Sequence, residues 1–176
     1  MASLHEFGGW PTLIGELIAG RNLTSDQTGA ALSEILTGVA TPAQIAGFLV
    51  ALRVKGESAE ELAGLVAVAM SEAAIVPLTD VEREACVDVV GTGGDGSHSI
   101  NVSTMAAIVT AAAGAPVCKH GNRSASSKTG TADVFELLGV ALELSPDGVA
   151  RCIREAGIGF CFAPAFHPAF RFAGAP

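Results

Sequence analysis

The 176-residue sequence predicts an α/β protein: a small N-terminal helical domain followed by an α/β domain with a mainly parallel sheet. Three observations predict it. Up to about residue 76 the chain carries helix start and stop signals. From about residue 85, short apolar runs alternate with helical stretches, the pattern of a parallel sheet covered by helices. Between two of these, at Gly91-Thr92-Gly93-Gly94-Asp95-Gly96, a glycine-rich turn joins a strand pattern to a helix start.

In the first part, Pro11 sits in the first turn of a helix running to Ala19, which Gly20 stops. Thr24-Ser25-Asp26-Gln27 is a capping box that opens a helix to about Thr37, closed by Gly38. Thr41 caps a third helix, with Pro42 at its first position, running to about Val54. Ser58-Ala59-Glu60-Glu61 opens a fourth, which ends before Pro77. Its apolar residues Leu62, Leu65, Val66 and Ala69 mark a buried face. The helical domain is expected over residues 1–78 and the α/β domain over residues 79–176.

In the second part, strands are expected at residues 86–90, 117–119, 140–144 and 159–163. Helices are expected at residues 104–113, ended by Gly114 and Pro116, at residues 131–138, ended by Gly139, and from Ser145-Pro146 to the stop at Gly157. A further helix start is read at Pro168. In a parallel sheet, ligands bind beyond the C-terminal ends of the strands. Two polar clusters, at residues 91–104 and 119–128, follow strand patterns and belong on that edge.

Composition narrows the function classes. Apolar residues make up 49% and charged residues 16%, which suits a packed core and not a disordered chain. A net charge of -8 argues against a general nucleic-acid binder. The N-terminus lacks the basic and apolar regions of a secretory signal, and no apolar run reaches membrane-spanning length, so a cytoplasmic protein with no membrane partner is expected. The cysteines Cys86, Cys118, Cys152 and Cys161 form no C-x-x-C pair and lie in apolar runs, so they read as reduced thiols packed as small hydrophobes.

The glycine turn and the helix start behind it offer backbone N–H groups and hydroxyls to an anion, most often a phosphate. The turn has neither the spacing of a dinucleotide fingerprint nor the Gly-Lys-Ser/Thr of a P-loop. Asp95 within it either accepts from a sugar hydroxyl or shapes the turn. Ser99, Asn101, Ser103 and Thr104 exceed what capping one helix requires. They suit phosphate oxygens, and Ser103 suits a phosphate-bound Mg²⁺. One helix further on, Lys119-His120-Gly121-Asn122-Arg123-Ser124-Ala125-Ser126-Ser127-Lys128 adds two cations and several donors at its start and centre. Two such clusters point to a substrate with more than one phosphate. A third stretch, residues 160–171, concentrates Phe: a core strand explains Phe160 and Phe162 well, and explains less well His167, Phe170 and Arg171, which suit an aromatic and cationic wall for a flat anionic ligand.

Gly91-Thr92-Gly93-Gly94-Asp95, Asn101-Val102-Ser103-Thr104, Lys119-His120-Gly121-Asn122-Arg123 and Phe166-His167-Pro168 occur together in this order. In this combination the whole chain resembles the anthranilate phosphoribosyltransferase family of tryptophan biosynthesis. The resemblance implies a nucleoside phosphorylase/phosphoribosyltransferase-like fold, the substrates phosphoribosyl pyrophosphate and anthranilate, Mg²⁺, and a homodimer formed through the helical domain. It implies donor contacts from Gly91, Gly94, Asp95, Ser99, Asn101, Val102, Ser103, Thr104, Lys119, His120, Gly121, Asn122, Arg123, Ser124, Ala125, Ser126, Ser127 and Thr131. Ser103 corresponds to the Mg²⁺ contact. Gly91, His120, Asn122, Pro164 and Phe170 correspond to anthranilate contacts. No residue is assigned as a general acid or base, because an aromatic amine is already a neutral nucleophile.

Members of that family are longer and carry, further on, an anthranilate-binding Arg and an Asp-Glu pair for Mg²⁺. This chain is therefore expected to be an N-terminal half or truncated form, incomplete at the C-terminus. Two alternatives stand beside the enzyme. One is a pyrimidine nucleoside phosphorylase-like activity, which Lys128-Thr129-Gly130-Thr131-Ala132-Asp133 superficially fits. The other is a non-catalytic remnant that binds a phosphate ligand.

Overall fold

The computed structural model describes residues 3–91, 100–124 and 129–174. Internal contacts divide the chain into two units, Met1–Ala73 with His167–Pro176, and Ala74–Phe166.

The first unit is helical. A 3-10 turn at Leu4–Phe7 precedes α1 (Gly9–Ile18), α2 (Ser25–Leu36), α3 (Pro42–Lys55) and α4 (Ala59–Ser71). Each of the last three helices begins where its polar signal lies: the side chains of Thr24, Thr41 and Ser58 accept the backbone N–H of Gln27, Gln44 and Glu61. These bonds satisfy N–H groups that a helix start leaves without an intrahelical partner. The core is built from Leu13, Leu17, Leu23, Ala31, Ile35, Ile45 and Phe48, with the Trp10 ring edge-on to Phe48 at 5.8 Å. The approach of α2 and α4 depends on Gly64, where an added Cβ would lie 2.1 Å from the Ser25 carbonyl oxygen and 2.3 Å from Thr28 Oγ1. Residues 168–172 form a 3-10 turn instead of the expected helix, and Ala169 and Ala173 pack on this core.

The second unit holds α5 (Asp80–Ala85), α6 (Val102–Ala112), β1 (Val117–Gly121), α7 (Thr131–Leu137), α8 (Pro146–Ala156), β2 (Ile158–Phe162) and α9 (Ala163–Phe166). β1 and β2 pair in parallel with Lys119 opposite Phe160. One cluster packs Phe135 edge-on to Phe160 at 4.9 Å beside Ala132, Leu142 and Phe162. Another packs Val149 and Ile153 of α8 with Cys161 and Phe166. Gly159 lets α8 lie close on β2, since an added Cβ would stand 2.8 Å from Val149 and Ile153. Arg154 on α8 donates to both carboxylate oxygens of Glu82 and to the Pro77 carbonyl, and so fastens α5.

Two expected strands differ. Residues 86–90 make one parallel bridge, Val87 to Val117, and no strand. Side-chain bonds from Asp88 and Lys119 displace the rest of that ladder. Residues 140–144 form no strand either. The Val140 N–H is taken by the Phe135 carbonyl in closing α7, and Leu142 turns into the core. Helix α5 was not foreseen, although Thr79 and Glu82 form a capping box: Glu82 N–H donates to Thr79 Oγ1 and Thr79 N–H to Glu82 Oε2, at 3.3 and 2.7 Å. The thiols are all free. Cys161 is buried, the others are half-buried, and the sulfurs of Cys118 and Cys161 lie 3.8 Å apart.

Candidate functional site

Three segments of the second unit meet at the C-terminal end of β1: residues 87–91, the start of α6, and the loop from β1 into α7. The α6 start is organised by Asn101, whose Oδ1 accepts from Thr104 N–H at 3.3 Å and from Thr104 Oγ1 at 2.6 Å. Thr104 is thereby buried, while Ser103 remains half-buried beside it. Gly91 lies against this helix start, since an added Cβ would be 3.8 Å from Ser103 Oγ. The structure thus brings Gly91, Asn101, Ser103 and Thr104 together.

Lys119 is fully buried in β1. Its Nζ donates to the Val89 carbonyl, and to the His120 carbonyl at 3.2 Å. Burial pushes its ammonium below the ordinary lysine range, and the Asp88 carboxylate opposes that shift. Positive charge is therefore held under residues 89–91 and not on a solvated tip. Arg123 is placed differently. Its guanidinium donates to Asp133 Oδ1 at 2.9 Å and, through both terminal nitrogens, to Glu136 at 2.8 and 2.9 Å. It also stands 5.9 Å from the centre of the Phe162 ring. The hydrogen bonds it donates to Glu136 and then to Asp133 raise its pKa further, and Arg123 in turn lowers that of Glu136.

Asp133 organises the loop. Its Oδ2 accepts the N–H of Gly130 at 2.7 Å and of Ser124 at 3.3 Å. The bond from Gly130 is the leading cause of its lowered pKa. Gly130 passes so near Asn122 and Arg123 that an added Cβ would lie 2.4 Å from the Ser124 nitrogen. Asn122 is tied to α7 by its carbonyl, which accepts Ala132 N–H at 3.2 Å. Gly121 abuts Thr131, 3.0 Å from its absent Cβ. Lys119, His120, Gly121, Asn122 and Thr131 are accordingly gathered at one strand end. Asp88, Asp133 and Glu136 were not singled out from sequence. The spacing Gly130-x-x-Asp133 was the available signal, an acceptor three residues past a helix start.

Gly94, Asp95, Ser99, Ala125, Ser126 and Ser127 lie outside the described residues. Pro164 follows β2 in α9 and lines an open depression of about 320 Å³ with Glu143, Ser145 and Phe162. Phe170 belongs to the helical unit, where its ring is edge-on to His167 at 5.8 Å. Among the described residues no group of three His, Cys, Asp or Glu side chains could hold a metal ion, and no helix is long and apolar enough to cross a membrane.

The chain is similar in sequence and fold to known proteins. The chain is 56% identical over 169 residues to anthranilate phosphoribosyltransferase of Saccharopolyspora erythraea, covering 96% of this chain and 47% of that protein. It is 58% identical over 167 residues to the enzyme of that name in Rhodococcus jostii, covering 95% and 45%. Among solved structures, anthranilate phosphoribosyltransferase from Thermus thermophilus superposes with a TM-score of 0.83 at 41% identity, over 92% of this chain and 48% of that one. The Saccharomyces cerevisiae enzyme in complex with PRPP and Mg gives a TM-score of 0.80 at 28% identity, over 95% and 52%. The chain spans about half the length of the curated relatives it matches. Residues 11–73 match the helical bundle domain of the glycosyl transferase family and residues 83–176 its a/b domain, so the chain belongs to that family.

Proposed function

We propose that this chain forms the donor-binding part of an anthranilate phosphoribosyltransferase. The reaction moves the phosphoribosyl group of phosphoribosyl pyrophosphate onto the anthranilate amine in tryptophan biosynthesis. The C1–oxygen bond to pyrophosphate breaks, a C1–nitrogen bond forms, and the amine proton passes to solvent. The observation that carries this reading is the identity of 56 to 58% with enzymes of that name over nearly the whole chain, and the grouping of Lys119, His120, Gly121, Asn122 and Thr131 at one strand end supports it.

Positive charge develops at C1 as pyrophosphate leaves, so the protein's task is to hold the donor and to stabilise the departing anion. Gly91 admits the donor to the α6 start, where Ser103 and the helix N-terminus face phosphate oxygens. Lys119 supplies charge from beneath. Arg123, held by Asp133 and Glu136, braces the second loop. The residues outside the described part, Gly94, Asp95, Ser99 and residues 125–127, complete the donor site in this reading. Gly91, His120, Asn122 and Pro164 receive anthranilate in this reading.

The donor set fits Mg²⁺ carried in with the substrate, because that ion binds phosphates and waters with one or two protein oxygens and needs no carboxylate cage. Ser103 Oγ is the protein oxygen here. When bound, the ion neutralises the leaving pyrophosphate. We further assign the protein to the cytoplasm and to a homodimer formed through the helical domain. Leu49, Val50 and Val54 on α3 and Leu62, Val66 and Met70 on α4 are exposed and support such contacts.

Calorimetric titration with phosphoribosyl pyrophosphate and Mg²⁺ tests the donor site, and loss of anthranilate fluorescence tests the reaction. Saturable donor binding is expected, weakened at least tenfold by Lys119→Ala. Heats equal to dilution overturn the reading. A second reading, donor binding without transfer, is favoured by the half-length match. It prevails if the donor binds while anthranilate persists.

A further inference from the structure

We propose that Asp88 is a positioning residue for the donor site: together with Lys119 it breaks the sheet ladder beside β1 and turns residues 89–91 toward the start of α6. The proposal deepens the donor-site reading and rests on it for its ligand. The geometry begins with a regular parallel bridge. Val87 N–H donates to the Pro116 carbonyl at 2.9 Å, and Cys118 N–H donates to the Val87 carbonyl at 3.0 Å. One step further along a parallel ladder, Val89 N–H would meet the Cys118 carbonyl and His120 N–H the Val89 carbonyl. Neither bond is made among the described residues.

Two side chains take those places. His120 N–H donates to Asp88 Oδ1 at 3.3 Å. The Val89 carbonyl accepts Lys119 Nζ instead of a backbone N–H. The exchange keeps the His120 N–H and the Val89 carbonyl hydrogen-bonded where the ladder ends. It happens two residues before Gly91, whose α-carbon faces Ser103. Had the ladder continued, residues 89–91 would run on alongside β1. Asp88 thus acts on the ligand through His120 and the course of residues 89–91, with no contact of its own required.

Asparagine keeps an acceptor oxygen at position 88, and alanine removes it. Two measurements on the full chain, wild type, Asp88→Asn and Asp88→Ala, separate the outcomes. By NMR hydrogen exchange, the His120 amide should lose tenfold or more of its protection in Asp88→Ala and stay within threefold in Asp88→Asn. By calorimetry with phosphoribosyl pyrophosphate and Mg²⁺, Asp88→Ala should raise the Kd tenfold or more, and Asp88→Asn should restore most of that loss. Unchanged His120 protection in Asp88→Ala overturns the proposal. Equal loss of donor affinity in both variants, with His120 protected, also overturns it in favour of direct contact. If Asp88→Ala fails to fold, the wild type decides through the scalar coupling across the hydrogen bond between the His120 amide nitrogen and the Asp88 carboxyl carbon, whose absence overturns the proposal. A wild type that binds no donor removes the proposed function and leaves the ladder break to be judged by exchange and coupling.

Discussion

At the scale of single residues, the most consequential placements are of charges taken out of water. Glu61 is fully buried in the helical unit and meets Lys55 Nζ at 2.8 Å, and its side chain also accepts the N–H of Leu23 and of Ser58 at 2.9 and 2.7 Å. Burial alone would push this carboxyl up. The Lys55 ammonium and the two N–H groups outweigh it and hold the pKa at about 2, below the ordinary 4.5. A depressed carboxylate pKa contributes stability that is present above pH 4.5 and is lost as pH falls toward 2. Glu61→Ala should destabilise the protein by about 3–5 kcal/mol at neutral pH, because the Lys55 charge is left buried without its partner. Glu61→Gln should flatten the acid limb of the denaturation midpoint between pH 4.5 and 2; a limb as steep as the wild type's would show that another group controls it. Sequence disclosed Glu61 only as the last member of a capping box. Its links to Lys55, the last residue of α3, and to Leu23, ahead of α2, arise from tertiary packing. The same holds at the candidate site. Lys119 reads in sequence only as a cation in a polar cluster, whereas its burial under Val89 depends on a fold that brings residues 86–91 alongside β1.

At the scale of elements, local chemistry foretold the helices other than the short α5 and α9 and missed part of the sheet, for one physical reason. A helix start carries its own signal within four residues, as Thr24, Thr41, Ser58 and Ser145 do, each accepting an N–H two or three positions into its helix. A strand becomes one only by finding a partner. Residues 140–144 have the apolar run, yet the described sheet has two strands, β1 and β2, and no place beside them is taken by this segment. Residues 86–90 find β1 for a single bridge before Asp88 and Lys119 intervene. Helix contacts also set opposite expectations for two glycines. At Gly64 a methyl group collides with the Ser25 carbonyl and Thr28 Oγ1, whereas at Gly15, inside α1, nothing lies within 4 Å of the added carbon. Gly64→Ala should cost roughly 1–3 kcal/mol or more by forcing α2 and α4 apart. Gly15→Ala should stabilise by about 0.5–1 kcal/mol through helix propensity alone. Urea midpoints measured on both variants check the pair, and shifts of the same sign would refute the packing argument.

At the scale of the whole molecule, each unit leaves apolar surface that its own core does not use. Helix α8 is the contrast: Val149, Ala150 and Ile153 are buried while Arg151 and Glu155 are exposed, a one-sided stripe that needs no further cover. Helix α6 has no charged residue at all, buries Thr104 and Ala107, and exposes Val102, Met105, Ile108 and Val109. Helix α3 buries Ile45, Phe48 and Leu52 and exposes Leu49, Val50 and Val54, and α4 presents Leu62, Val66 and Met70 at spacings of four along one face. A helix that is apolar on both sides is normally covered on both, and apolar stripes on two helices exceed the scattered exposure that needs no explanation. The proposed association through the helical unit would cover these stripes, and on that proposal light scattering after size-exclusion chromatography should give twice the 17.7 kDa chain mass. Replacing Val50 and Val54 together by glutamate should return the mass to a single chain with the helical circular dichroism intact, since both side chains are more than half exposed at 62% and 82%. Replacing Val109 on α6 by glutamate should leave that mass unchanged and reduce binding of an apolar dye. If the doubly substituted chain still runs at twice its mass and the α6 variant does not, the associating face is α6 and the helical unit carries no dimer.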